Sequence, residues 1–218
     1  SNCPFHSKKQ LNLPDNKIIL FCIQNINKLN LEFYDMLSKL TKKKQNYIIL
    51  LPKKDIANEK LDYIRSLINN QVIFVEKCKI LKYNSYLYHS DIVLDTYPFG
   101  GCNSSLEAFA KGKVVITRPS EYLPGRFTYG FYKKMGIMDA VVYNYDEYIK
   151  KIIYYTENIE ARKELEKKIL SKKDMLFNDE ESVREWQDTL ISLHKKHNNS
   201  DFKPMYTNNN PISINSIE

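Results

Sequence analysis

Metal-site and disulfide patterns are missing from this sequence. Its four cysteines (Cys3, Cys22, Cys78 and Cys102) show no C-x-x-C spacing and no paired histidine, so neither zinc nor a disulfide framework is indicated. A reducing, cytoplasmic compartment fits that usage. No apolar run is long enough to cross a bilayer, and no signal-peptide pattern opens the chain, so no membrane partner is expected. No helical repeat of period about 34 is present. Basic and aromatic residues are not interleaved in a stripe, which argues against nucleic acid as a partner. The initial Met is also absent, which reads as a fragment or a processed chain.

What remains is a basic chain with a real core. It has 218 residues, 43% of them hydrophobic, and a formal charge of +7. That is enough for one good-sized domain or two small ones. The positive balance suits an anionic partner such as a nucleoside diphosphate. Lys42-Lys43-Lys44 and Lys172-Lys173 read as solvated helix faces or ends.

Apolar runs and breakers alternate along the chain. Strands are expected at Lys17 to Cys22, Tyr47 to Leu51, Val72 to Val75, Asp91 to Leu94, Val114 to Thr117 and Ala140 to Val142. Helices are expected after an Asn30 cap, from about Ala57 to Leu67, Leu81 to Tyr88 and Arg126 to Met135, and from Tyr145 onward. Leu165, Ile169, Met175 and Leu176 lie along one long amphipathic segment. Asn178 reads as the cap of a final helix whose Val183, Trp186, Leu190 and Leu193 form a stripe expected to pack into a core. This is an α/β pattern: a Rossmann-like parallel sheet with helices on both faces, followed by C-terminal helices. The expected organisation is a lead-in over 1–16, one domain over 17–195 and a disordered tail over 196–218.

The stretch from Asp91 to Thr117 organises the rest. A short strand breaks at Pro98 and at Gly100-Gly101, and a helix follows Asn103-Ser104-Ser105 and closes at Gly112. Free N–H groups and the helix dipole make such a helix start an anion site. Gly100 and Gly101 are expected to supply positive φ and close backbone approach. Glu107 lies one turn in, where a carboxylate can accept from a ribose diol. Ser104-x-x-Glu107 is equally a capping box, and the pattern alone leaves both readings open.

Leu106-Glu107-Ala108-Phe109-Ala110-Lys111-Gly112-Lys113-Val114-Val115 resembles the nucleotide-sugar signature of GT-B glycosyltransferases. Retaining members carry a second Glu eight positions before the first; Phe99 stands there in this chain. The fuller run, from Leu94-Asp95-Thr96 through Asn103-Ser104-Ser105 to Pro119 and Gly125-Arg126, resembles the O-GlcNAc transferase family and its bacterial protein-glucosyltransferase relatives. The likeness covers about Leu13 to Leu193.

That resemblance implies one half of a GT-B enzyme, inverting and metal-independent, with a UDP-sugar as co-substrate and no other cofactor. The implied partners are the UDP-sugar donor, a protein or peptide acceptor and an N-terminal GT-B half, which would also bring the catalytic base. It assigns the donor diphosphate to Lys28 and to Cys102, Asn103, Ser104 and Ser105, and the ribose to Glu107. Tyr83 is placed at the uracil and Arg126 as a supporting cation. Cys102 stands where animal members carry His, and a thiol is a poor donor. None of His6, His89, His194 and His197 falls in a loop of the inferred site. A competing reading is a non-catalytic nucleotide- or partner-binding module; a weaker one is a basic nucleic-acid-binding domain.

Overall fold

The structure, a computed structural model, describes residues 5–53, 56–177 and 179–199. They fall into two units, one running to Phe177 and the other lying beyond it. In the first, the apolar runs become five parallel strands: β1 (Ile18–Phe21), β2 (Tyr47–Lys53), β3 (Val72–Glu76), β4 (Ile92–Leu94) and β5 (Val115–Ile116). Their order in the sheet is β3-β2-β1-β4-β5. Ile19, Leu20 and Phe21, like all of β4, are fully buried. Burial on both faces is why these strands read as continuous apolar runs and not as alternation.

Helices α1 (Leu31–Lys43), α2 (Asn58–Leu67), α3 (Ile80–His89) and α4 (Asn103–Ala110) connect the strands. Helices α5 (Phe127–Lys134), α6 (Tyr145–Glu157), α7 (Ile159–Lys172) and α8 (Asp174–Phe177) follow β5. Helix α1 starts where Asn30 accepts from the Phe33 N–H, and α6 where Asn144 accepts from the Glu147 N–H. Helix α4 ends at Gly112, whose φ of 71° favours glycine. Arg162 of α7 pairs with Asp91 at 3.0 Å, and Asp91 also accepts from the Ile19 N–H. That ties α7 to the amino ends of the strands, opposite the loops that build the site.

Several sequence expectations change. The strand expected at Ala140 to Val142 shrinks to a single bridge between Thr117 and Val141, because only that residue meets β5's continuation. The long amphipathic segment breaks after Lys172, leaving Leu165 and Ile169 buried and Met175 exposed. The lead-in is not a loose approach: Leu11 and Leu13 sit in the core, and His89 binds the His6 carbonyl. Beyond Phe177, α9 spans Glu180–Asn199, so the helix passes the boundary expected at 196. Its Val183, Trp186, Leu190 and Leu193, expected to pack into a core, are not covered by anything within the described part of their own unit. The expected Asn178 cap and residues 200–218 lie outside the described residues.

Candidate functional site

The sheet order changes direction between β1 and β4, and ligands of open α/β sheets bind at that point, beyond the carboxyl ends of the strands. Two loops meet there: residues 22–30 after β1 and residues 95–102 after β4. Lys28 lies in the first, at the end of a single 3₁₀ turn that Asn25 starts by accepting from the Asn27 N–H. Its ammonium donates to the Gly100 carbonyl at 2.9 Å and to Gln24 Oε1 at 2.9 Å. It also lies 4.2 Å from the centre of the Phe99 ring. Burial lowers its pKa, with Asp95 the first of the charges opposing that.

Asp95 shapes the second loop. It is buried at the end of β4 and accepts from the N–H groups of Thr96 and Gly101 and from the Thr117 hydroxyl, at 2.7–3.0 Å. Burial raises its pKa, while Thr128, Thr117, Gly101 and Thr96 oppose that by donating to it. Gly101 is needed for space and not for backbone freedom. Neither it nor Gly100 has positive φ, contrary to expectation. A Cβ at 101 would stand 2.5 Å from Gln24 Nε2 and from Ser105 Oγ.

Helix α4 starts from Cys102, whose side chain makes no capping bond. Asn103 is exposed, and Cys102 and Ser104 are half-buried at the mouth. The Ser104 hydroxyl accepts from Gln24 Nε2 at 2.6 Å. Ser105 turns inward, fully buried, with its hydroxyl 2.7 Å from that of Thr128. It braces the loop and does not face the mouth. Because the cap is Cys102, Ser104 and Glu107 do not form the capping box that their spacing allowed.

Glu107 instead faces a cleft of about 430 Å³ lined by Phe21, Ile23, Val75, Cys78 and Tyr83 among others. Tyr83 leans on Phe21, ring centres 5.9 Å apart. Burial raises the pKa of its hydroxyl, and so do the Glu107 charge and a hydrogen bond to it. The two residues expected at base and ribose therefore share one cavity. Ile23, which precedes Gln24 in the chain, is also among its lining residues. Arg126 donates to the Ser120 carbonyl at 2.7 Å and lies 5.0 Å from the Tyr129 ring centre. Its neighbour Pro124 accepts from the Gly100 N–H, which places the segment beside the loop.

Sequence reasoning missed Gln24, Asp95, Thr128 and Arg118. Asp95 had a signal, an acid closing an apolar strand before a Pro-Gly loop. Arg118 follows β5, its guanidinium carbon 3.9 Å from the Tyr97 ring centre and 4.8 Å from that of Tyr145. Cys22 is not a nucleophile here: burial pushes its thiol up to about 12. Among the described residues no three His, Cys, Asp or Glu side chains gather as a metal-ligand set. None of the described helices is long and apolar enough to cross a membrane.

The sequence profile of glycosyl transferase family 41 matches residues 1–185, most of the chain. The chain belongs to glycosyl transferase family 41. The match bears out the resemblance carried by the α4 region. A UDP-glucose:protein N-beta-glucosyltransferase of Actinobacillus pleuropneumoniae is 24% identical over 90 residues, covering 41% of this family 41 chain and 14% of that protein. Among solved structures, a mutant O-GlcNAc transferase of Thermobaculum terrenum matches with a TM-score of 0.68 at 17% identity, over 88% of this chain and 39% of that one. A sucrose-phosphate synthase of Thermosynechococcus elongatus matches with a TM-score of 0.63 at 16% identity, over 88% and 50%. These likenesses show a Rossmann-like fold of the GT-B kind. The chain spans well under half the length of the first two relatives.

Proposed function

We propose that this chain is the donor-binding half of an inverting, metal-independent glycosyltransferase that moves a sugar from a UDP-sugar to a protein side chain. The observation that carries the proposal is that helix α4 brings Glu107 into a cavity with Tyr83 while its first turn is hydrogen-bonded, through Gln24, to Lys28. Tyr83 and Glu107 share one cavity, and Lys28, Gln24 and Ser104 form a hydrogen-bonded cluster at the start of the same helix. A nucleoside diphosphate has that layout: a flat base, a diol, then two phosphates. Tyr83 offers an aromatic face to the base, and Glu107 offers acceptors to the ribose hydroxyls. The first N–H groups of α4, with the Cys102, Asn103 and Ser104 positions around them, offer donors to phosphate.

Chemically, the acceptor's nucleophilic atom attacks the anomeric carbon as the bond to the diphosphate oxygen breaks. Negative charge then grows on the leaving UDP, and in this reading the Lys28 ammonium stabilises it. The proton of the acceptor goes to a base contributed from outside this chain, by an N-terminal half. Arg126 and Arg118 add positive potential beside the loop.

Calorimetry tests the reading. The chain should bind UDP and UDP-sugars much more tightly than uridine or free sugars, and EDTA should not change this. Equal affinity for UDP and uridine, or strict magnesium dependence, would overturn it. If UDP binds but no transfer to peptide occurs with the N-terminal half added, the chain is a non-catalytic nucleotide-binding module.

A further inference from the structure

Gln24 is 3% exposed, at the point where an apolar strand gives way to a polar loop. A buried amide must satisfy both ends. Lys28 settles its orientation, because an ammonium only donates, so the atom facing it is Oε1. Nε2 then faces Ser104 and donates to its hydroxyl oxygen at 2.6 Å. One amide therefore holds a cation from the first loop and a hydroxyl from the start of α4, residues 80 positions apart from Gln24 in the second case.

The consequence is directional. Ser104 accepts a hydrogen bond from Gln24, so its own O–H is left to donate elsewhere. Lys28 gives one N–H to Gln24 and one to the Gly100 carbonyl. Its third N–H has no oxygen acceptor among the described residues. Gly101 closes around this arrangement, since a Cβ there would meet Gln24 Nε2 and both serine hydroxyls within 2.8 Å. We infer that Gln24 is a positioning residue that fixes Lys28 and Ser104 as donors to one diphosphate, acting through both without being its main ligand. This rests on the donor-binding reading above.

The test compares UDP and uridine affinity by calorimetry for the wild type, Gln24→Leu, Gln24→Glu, Ser104→Ala and the Gln24→Leu/Ser104→Ala pair, with melting followed alongside. Gln24→Leu keeps the volume and removes both bonds. It should weaken UDP about ten-fold and leave uridine within about two-fold. Gln24→Glu keeps an acceptor for Lys28 but adds negative charge, and should weaken UDP further. The double variant should lose less than the product of the single losses, because both act on one unit. The inference is overturned if Gln24→Leu binds UDP as the wild type does, if UDP and uridine weaken in proportion, or if the two losses multiply.

A wild type that binds UDP no better than uridine would instead sink the donor-binding reading. The Lys28 titration, followed by carbon NMR of its ε-methylene without ligand, then decides for Gln24 alone. Losing the amide acceptor should lower the Lys28 pKa in Gln24→Leu, because the acceptor favours the charged form. An unchanged titration would overturn the coupling.

Discussion

Lys28 donates to the backbone carbonyl of Gly100 across 2.9 Å, joining two loops that are 72 positions apart in the chain. The contact puts a cation at the start of α4 and gives it a fixed address. Lys28→Ala should therefore weaken UDP by about ten- to a hundred-fold, the worth of a charge-assisted hydrogen bond, and uridine hardly at all. Lys28→Arg should recover only part, since a planar fork does not replace a compact ammonium. Lys42→Ala on the exposed face of α1 is the control. Calorimetry showing equal small effects for Lys28→Ala and Lys42→Ala would reduce Lys28 to a surface cation.

The same ammonium predicts a pH dependence. Burial lowers its pKa below 10.5, so it loses its proton earlier than an ordinary lysine as pH rises. Only the protonated form neutralises phosphate. UDP affinity should thus hold at neutral pH and fall on the alkaline side, beginning below pH 10.5. Uracil N3–H also ionises on the alkaline side and affects UDP and uridine alike, so the Lys28 effect is the fall in UDP affinity beyond that of uridine, and Lys28→Ala should remove that difference. A wild-type UDP profile no steeper than that of uridine to pH 10.5 counts against the assignment.

Glu107 offers a cleaner separation than its sequence context promised. It is exposed, takes no part in capping α4, and faces Tyr83 across the cleft. Glu107→Gln should change stability by less than about 0.5 kcal/mol, as surface substitutions do, while UDP and uridine both weaken several-fold through the ribose. Parallel melting and binding curves check this. A drop in melting with unchanged affinity would refute the ribose role.

Gly101→Ala should be costly for a steric reason. The added methyl meets Gln24, Ser104 and Ser105 at 2.5–2.8 Å. Ser105 and Gln24 are buried and cannot move aside freely, so a loss of about 1–3 kcal/mol is expected from overpacking. Chemical denaturation measures it, and UDP binding should weaken with it. Gly130, which has open space around its Cβ position, is the control: alanine there should stabilise α5 slightly.

How far the sequence could be read depends on how local each signal is. The sheet was legible because strands buried on both faces leave uninterrupted apolar runs, as in Lys17 to Cys22 and Tyr47 to Leu51. Ala140-Val141-Val142 reads as a strand because it is apolar, but that reflects its burial, and only Val141 forms a bridge, with Thr117. Lys28, Ser104, Glu107 and Tyr83 stand out as candidates in the sequence because a loop, a helix start and a resemblance mark them. Ser105 was grouped with them by adjacency, but one helical step turned its hydroxyl toward Thr128. A Pro-Gly-Gly loop suggests backbone freedom at 101, but the glycine is required there by three side chains that folding brings close. Gln24 carries no recognisable signal: its bond to Lys28 is local but unremarkable in sequence, and its other partner, Ser104, lies 80 positions away.

The site's construction also bears on how the chain folds. Sequence-neighbouring strands β1, β2 and β3 can zip together early, using contacts that close short loops. The pairing of β1 with β4 has to wait for the intervening α1, β2, α2, β3 and α3 to be laid down, and such distant contacts form slowly. Gln24 with Ser104 and Lys28 with Gly100 straddle that seam. A refolding chain should therefore regain secondary structure before it regains any grip on a nucleotide, and the delay between the two signals times the closure of the β1–β4 seam.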